Sequence, residues 1–318
     1  MIRVFLGFIL SLLIVFVTMP SFINYLKKLH FKQSVSEYSL KEYQEKGSTP
    51  IMGGILFIVV PVIITICLTI PNYFNFELFI LIMVYIGYGL IGFIDDYLIS
   101  VKKNNDGLKA SHKFLLQILL AIIFFLIYRN HASTDITLLF SKKVIHLGWF
   151  YMILVLFMFA GASNAVNLTD GMDGLAAGCE VISLVPFFLY AMHAQRMDIM
   201  IFVASIIGAL LAYLYYNVTP AKVFMGDTGS LALGAILAGL AMVLKKEMAL
   251  IVIAGVFVIE TLCVIIQIGS VKLRHKRVFP YTPIHYAFVM KGMKEEKVVH
   301  LFWFCALIFA IIGYFLGL

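Results

Sequence analysis

Apolar residues dominate long uninterrupted stretches of the chain, and polar residues are confined to the short breaks between them. A helix hydrogen-bonds its own backbone, and about 20 residues of it cross a hydrocarbon layer about 30 Å thick. The pattern predicts ten such crossings: Val4 to Ile23, Ile51 to Ile70, Leu78 to Ile94, Phe114 to Tyr128, Trp149 to Ser163, Leu175 to Met192, Ile199 to Tyr216, Leu231 to Leu244, Ala249 to Ile268 and Leu301 to Phe315. Arg3 precedes the first run, but no small-residue cleavage pattern follows it, so it is expected to remain as a helix. The fold class is therefore an all-α integral membrane protein, a polytopic bundle of about ten transmembrane helices in a single domain, 1-318.

Composition supports this reading and adds a direction. Hydrophobic residues make up 62% and charged residues 13%, too few charges to clothe a water-soluble domain of this size. Summed over alternate connections, Lys and Arg number 17 on one side and 7 on the other. The positive-inside rule then places both chain ends outside. The segments 24 to 50, 95 to 113, 164 to 174, 217 to 230 and 269 to 300 are expected in the cytoplasm. The net charge of +7 is thus gathered where it meets anionic headgroups or anionic substrates. Nucleic acid is disfavoured, because no basic soluble domain is present to carry it. Cys67, Cys179, Cys263 and Cys305 sit in apolar runs without C-x-x-C spacing, and read as small core residues.

Five carboxylates fall at the same expected boundary: Asp95 and Asp96 in GFIDDY, Asp170 and Asp173 in NAVNLTDGMDGL, and Asp227 in VFMGDTGS. Any one of them alone reads as a helix cap. Together they need a counter-charge, since two carboxylates about 4 Å apart near a surface repel by about 4 kcal/mol at an effective dielectric of 20. The adjacent pair is expected just past the end of the third helix, where the macrodipole also disfavours it. Hard oxygen ligands without imidazole or thiolate suit Mg²⁺, which leaves positions for water and phosphate. Asn164, Asn167, Asp170 and Asp173 repeat every third position, so on a helical backbone they form one stripe. Lys46 and Thr49 lie in a turn before Pro50, Gly53 and Gly54, where an ammonium, hydroxyls and amides could meet a phosphate. Lys113 is one of several lysines that individually read as lipid-facing or solvated rather than catalytic, and for Phe224 both stacking on a base and plain packing are open.

GSTPIMGG, GFIDDY, NAVNLTDGMDGLAAG, YYNVTPAKVFMGDTGSLALG, FVIETLCVIIQIGSVKLR and PIHYAFVMKG occur in this order. In them the chain resembles the phospho-N-acetylmuramoyl-pentapeptide transferases, within the polyprenyl-phosphate N-acetylhexosamine-1-phosphate transferase superfamily. The likeness runs over roughly residues 24 to 300. It implies an Mg²⁺-dependent enzyme of the bacterial inner membrane. That enzyme would transfer phospho-MurNAc-pentapeptide from UDP-MurNAc-pentapeptide to undecaprenyl phosphate, releasing UMP and forming the first lipid-linked peptidoglycan precursor, lipid I. The active-site cleft would face the cytoplasm among membrane lipids.

The same resemblance implies residue roles. Asp227 would be the principal metal ligand, with Asp95, Asp96 and Asp170 as further metal or phosphate contacts and Asp95 a base. Asn164, Asn167, Asp170 and Asp173 would line the nucleotide-sugar cleft, and Asn217 and Phe224 would hold uridine. Lys46, Thr49 and Lys113 would meet anionic groups, and His285 would lie near the diphosphate. The chain departs from the family pattern in two places. Ile99 stands where a lysine is usual, and Tyr286 and Ala287 replace the second and third of three histidines. Related transferases form homodimers, although no feature of the sequence itself establishes one.

Two alternatives follow from the same residues. One keeps the chemistry and changes the donor to UDP-N-acetylglucosamine, initiating teichoic acid or surface polysaccharide, and the PIH segment disfavours it. The other is a transporter, suggested by Glu180 and Glu260 inside helices. It is disfavoured because most acids lie at one boundary and no internal repeat is visible.

Overall fold

The computed structural model describes residues 1–29, 49–102 and 107–318. Within them the chain forms α1 (Ile2–Lys28), α2 (Gly54–Thr69), α3 (Phe76–Lys102), α4 (Ala110–Tyr128), α5 (Tyr151–Thr169), α6 (Leu175–His193), α7 (Met197–Asn217), α8 (Gly226–Val243), α9 (Glu247–Ile253), α10 (Gly255–Arg274), α11 (Ile284–Met290) and α12 (Glu295–Gly317). Nine of the described helices are long and apolar enough to cross a bilayer, and the shorter apolar α2 corresponds to the remaining expected span. The all-α, polytopic architecture expected from the hydropathy pattern is present.

Side-chain size decides which helix is central. In α8, Gly229, Ala232, Gly234, Ala235, Ala238, Gly239 and Ala241 leave a thin cylinder, against which α2, α3, α5, α6 and α9 all pack. Small residues let helix backbones approach closely where lipid offers no hydrophobic driving force. Of the apolar window of α8, 89% is buried, against 22% for α4 and 28% for α1, whose large side chains face outward. At Gly92 of α3 a Cβ would run into the backbone of Asp227, so α3 and α8 cross almost backbone to backbone there. A second seam joins α1 to α7, and α12 closes the other flank on α6 and α9.

Two of the expected helices need correction. The acidic pair does not follow the end of the third span, because α3 continues through Lys102 and carries Asp95 and Asp96 within its last turns. At 27 residues this helix is about 40 Å long, longer than the hydrocarbon layer, so its polar end projects into the boundary zone. The expected ninth span, Ala249 to Ile268, is broken at Ala254 into α9 and α10. Gly255 at the break lies against the ring of Phe309 in α12, α9 packs on α12, and α10 departs to pack also on α5.

The connection between α4 and α5 holds a short antiparallel hairpin that the hydropathy pattern did not signal, with β1 (Asp135–Thr137) paired to β2 (Val144–His146). All four cysteines are free thiols; Cys179 and Cys263 are buried, Cys305 is partly buried, and Cys67 is exposed on the outside of the bundle, contrary to a core role.

Helix direction sorts the polar groups between two ends. The aspartates lie at the C-terminal ends of α3 and α5 and at the N-terminal ends of α6 and α8, and the N-terminal end of α4 brings Lys113 to them. At the other end Arg3 donates to the Leu68 carbonyl (3.0 Å), Arg196 pairs with Glu77 and Asp198, and Lys245 pairs with Glu247 (2.9 Å).

Candidate active site

Asp227 occupies the first turn of α8, reached through Gly226 in a left-handed conformation (φ +69°). A side chain at 226 would also collide with the Asp96 carboxylate, so glycine is required on both counts. Asp96 Oδ1 accepts the backbone N–H of Asp227 (3.1 Å), and Asp96 Oδ2 accepts the N–H (2.9 Å) and hydroxyl (2.6 Å) of Thr228. Asp96 is therefore an N-cap supplied from another helix, satisfying amides that α8 leaves open.

Asp95, one residue earlier, turns to a different partner set. Its Oδ1 accepts the N–H of Leu108 (2.7 Å), and its Oδ2 lies 3.6 Å from the Lys113 ammonium. The same ammonium contacts Asp227 Oδ2. Lys113, near the start of α4, is thus held between two carboxylates from two other helices. Asn167 Nδ2 donates to the second oxygen of Asp227 (2.6 Å) and to Ser230 Oγ (2.9 Å). The Asp227 side chain retains 21% of its surface, so this end of the cluster stays open to a ligand.

A second group lies beside it, on the turn between α5 and α6. Asp170 follows the last residue of α5, and burial first, then the charges of Asp96 and Asp173, push its carboxyl up to about 7. Asp173 Oδ2 accepts from the Ala221 N–H (2.9 Å), and the Asp173 N–H donates to Glu295 Oε1 (3.0 Å). Gly174 opens α6 at φ +77°, its N–H donating to Asn217 Oδ1 (3.0 Å), while Asn217 Nδ2 donates to the Val223 carbonyl (2.9 Å). Asn217 thereby ties the 170–174 turn to the strand of chain that leads into α8.

The remaining predicted positions divide. Lys46 lies outside the described residues. Thr49 is half-buried at the start of a turn docked on the approach to α8: Gly53 N–H donates to the Phe224 carbonyl (2.8 Å) and Phe224 N–H to the Pro50 carbonyl (2.9 Å). The Phe224 ring packs partly buried against the core. Asn164 lies deeper along α5 and bonds to Gln117 Oε1 (2.9 Å), linking α5 to α4 apart from the aspartates. His285 is fully buried, its Nδ1 3.1 Å from Glu260 Oε1. Of the two departures from the family pattern, Ile99 packs beside Gly107 and the Tyr286 hydroxyl donates to the Gly171 carbonyl (2.9 Å). Thr228, Ser230 and Glu260 were not singled out as site residues. The hydroxyls in MGDTGS and a glutamate inside an apolar helix were the available signals.

Residues 78–245, more than half of the chain, match the family described as Glycosyl transferase family 4. Over nearly the full length the chain is similar to proteins named phospho-N-acetylmuramoyl-pentapeptide-transferase. The one from Halalkalibacterium halodurans is 43% identical, covering 98% of this chain and 96% of its own. The one from Staphylococcus epidermidis is 45% identical, covering 99% of each, and that from Bacillus velezensis is 44% identical, covering 98% and 96%.

Proposed function

The chain belongs to the phospho-N-acetylmuramoyl-pentapeptide-transferase family, and from that premise we propose that it transfers phospho-MurNAc-pentapeptide from UDP-MurNAc-pentapeptide to undecaprenyl phosphate, forming lipid I. The reaction takes place at the cytoplasmic surface of the bacterial inner membrane. A water-soluble nucleotide sugar meets a lipid-borne phosphate there, which is the boundary to which the positive-inside rule assigns the aspartates. The observation that carries the reading is the convergence of Asp95, Asp227, Lys113 and Asn167 from four helices on one partly open point.

An oxygen of the lipid phosphate attacks the sugar-linked β-phosphorus, the bond from that phosphorus to the bridging oxygen breaks, and UMP leaves with that oxygen. Both reactants are anions, so positioning and charge neutralisation dominate over proton transfer. Lys113 supplies fixed positive charge beside Asp95 and Asp227. Asn167 holds Asp227 through its second oxygen, and Asp96 anchors the helix end on which Asp227 rides. Asp170 and Asp173, with Asn217 and Phe224, line the neighbouring donor side. Thr49, in the turn docked on the approach to α8, belongs to the anion-binding side in this reading, and Lys46 is given the same role by its place in the KGSTPIMGG motif alone.

Mg²⁺ fits this donor set. Asp95 Oδ2 and Asp227 Oδ2 already flank one cation, the Lys113 ammonium. Among the described residues no group of three or more His, Cys, Asp or Glu is placed so that it could by itself hold a metal ion. Two carboxylate oxygens with the rest left to water and phosphate suit Mg²⁺ and would not suit a closed zinc site. Bound there, the ion supplies charge neutralisation for the diphosphate.

The test is UMP release by purified protein with undecaprenyl phosphate, Mg²⁺, and either UDP-MurNAc-pentapeptide or UDP-N-acetylglucosamine. Turnover with the muramoyl donor alone is expected. Asp227→Ala should abolish it while the variant keeps its melting profile, and normal turnover by that variant would sink the assignment. Preference for UDP-N-acetylglucosamine would move the chain to polysaccharide initiation.

A further inference from the structure

Glu260 lies in the second turn of α10 and is fully buried, yet it takes no part in the chemistry outlined above. A carboxylate in such a place is costly unless hydrogen bonds satisfy it. Its partners all belong to α11: Oε2 accepts the N–H of Ile284 (2.8 Å), and Oε1 accepts the N–H (3.2 Å) and faces the Nδ1 (3.1 Å) of His285. An ionised carboxylate only accepts, so the proton of that contact sits on Nδ1.

The other ring nitrogen is treated differently. His285 Nε2 is buried with no hydrogen-bond partner, at a cost of about 1–3 kcal/mol for an unsatisfied buried polar group. It points at Gly171, where a Cβ would come within 2.5 Å of it. Gly171 follows Asp170 on the α5–α6 turn, and its carbonyl is held by the neighbouring Tyr286 hydroxyl. The chain thus keeps a glycine next to an unpaired nitrogen at the edge of the aspartate cluster, where a ligand reaching that nitrogen recovers the lost hydrogen bond.

We infer that Glu260 is a positioning residue for the transferase: by holding the proton on His285 Nδ1 and the first turn of α11 in place, it presents Nε2 as a hydrogen-bond acceptor to a hydroxyl or amide N–H of the nucleotide-sugar donor. Carboxylates that orient a metal-bound imidazole from behind have this effect, and their removal costs about 10–100-fold in metal affinity or activity, which sets the scale for a metal-free imidazole held the same way. The inference rests on the proposed transferase reading, because it takes a hydroxyl or amide N–H of that reaction's donor as the group that Nε2 meets.

Two measurements test it. In the wild-type protein labelled with ¹⁵N-histidine, the neutral His285 ring should carry its proton on Nδ1; a ring protonated at Nε2 would overturn the inference, whatever the variants do. In the UMP-release assay, Glu260→Gln should lose about 10–100-fold in kcat/KM. The loss should nearly vanish when it is introduced into His285→Gln, because a residue acting through another has no further effect once that partner is gone. Losses that multiply in the double variant would show that Glu260 acts elsewhere and would reject the inference. A wild-type chain releasing no UMP from either donor would instead reject the transferase reading.

Discussion

At the scale of single residues, neighbouring aspartates with the same chemistry have different duties. Asp96 spends both oxygens on the start of α8, whereas Asp95 and Asp227 share one ammonium. Gly226→Ala is therefore expected to lower the melting temperature measurably, since it places a methyl group both at φ +69° and against Asp96. An unchanged melting curve in detergent would contradict that packing. Asp170 provides a pH test. Its carboxyl is pushed up to about 7 in the fold, from about 3.9 in an unfolded chain. The folded form then binds the extra proton, and its stability falls as pH rises between those two values. Asp170→Asn should melt with the wild type near pH 4 and above it at pH 8, in Mg²⁺-free buffer. A pH-independent difference would count against the shift. Sequence could reveal that five carboxylates share a boundary, because spacing and topology are one-dimensional properties. It could not reveal which of two adjacent acids caps a helix 131 residues away, since that depends on how α3 and α8 cross.

At the scale of helices, the crossing of α3 and α8 sets the site. Gly92 brings the α3 backbone against Asp227, and Gly54 brings α2 against Gly229. Adding a methyl at Gly92 meets backbone rather than a flexible side chain, so the two helices must separate; overpacking of this kind costs about 1–3 kcal/mol. Gly92→Ala should lower turnover more than Gly269→Ala, where a Cβ meets nothing. Equal activities of the two variants would show that the crossing is not critical. Helix identity was legible because long apolar runs have one stable outcome in lipid. The break at Ala254 was not, because no proline or charge marks it; Gly255 settling on Phe309 is a tertiary event. The extension of α3 past Ile94 was likewise hidden, since polar residues at a helix end read equally well as a loop.

For the molecule as a whole, two-ended sorting of charge leads to a test of orientation. In a chain whose four native cysteines have been replaced, Lys222→Cys should react with an impermeant maleimide only in inverted vesicles, and Lys142→Cys only in intact cells; both positions are exposed at opposite ends. The opposite pattern would place the aspartates outside and defeat the proposed meeting of nucleotide sugar and lipid. The enclosure of α8 has a mechanical consequence as well. Its apolar window is 89% buried, so the helix that bears Asp227 is ringed by other helices that absorb changes in bilayer thickness first. Reconstituted in phosphatidylcholines of graded acyl length, the protein should keep a nearly constant turnover rate while the outer helices tilt to match, as a bearing holds its axle steady inside a flexing frame.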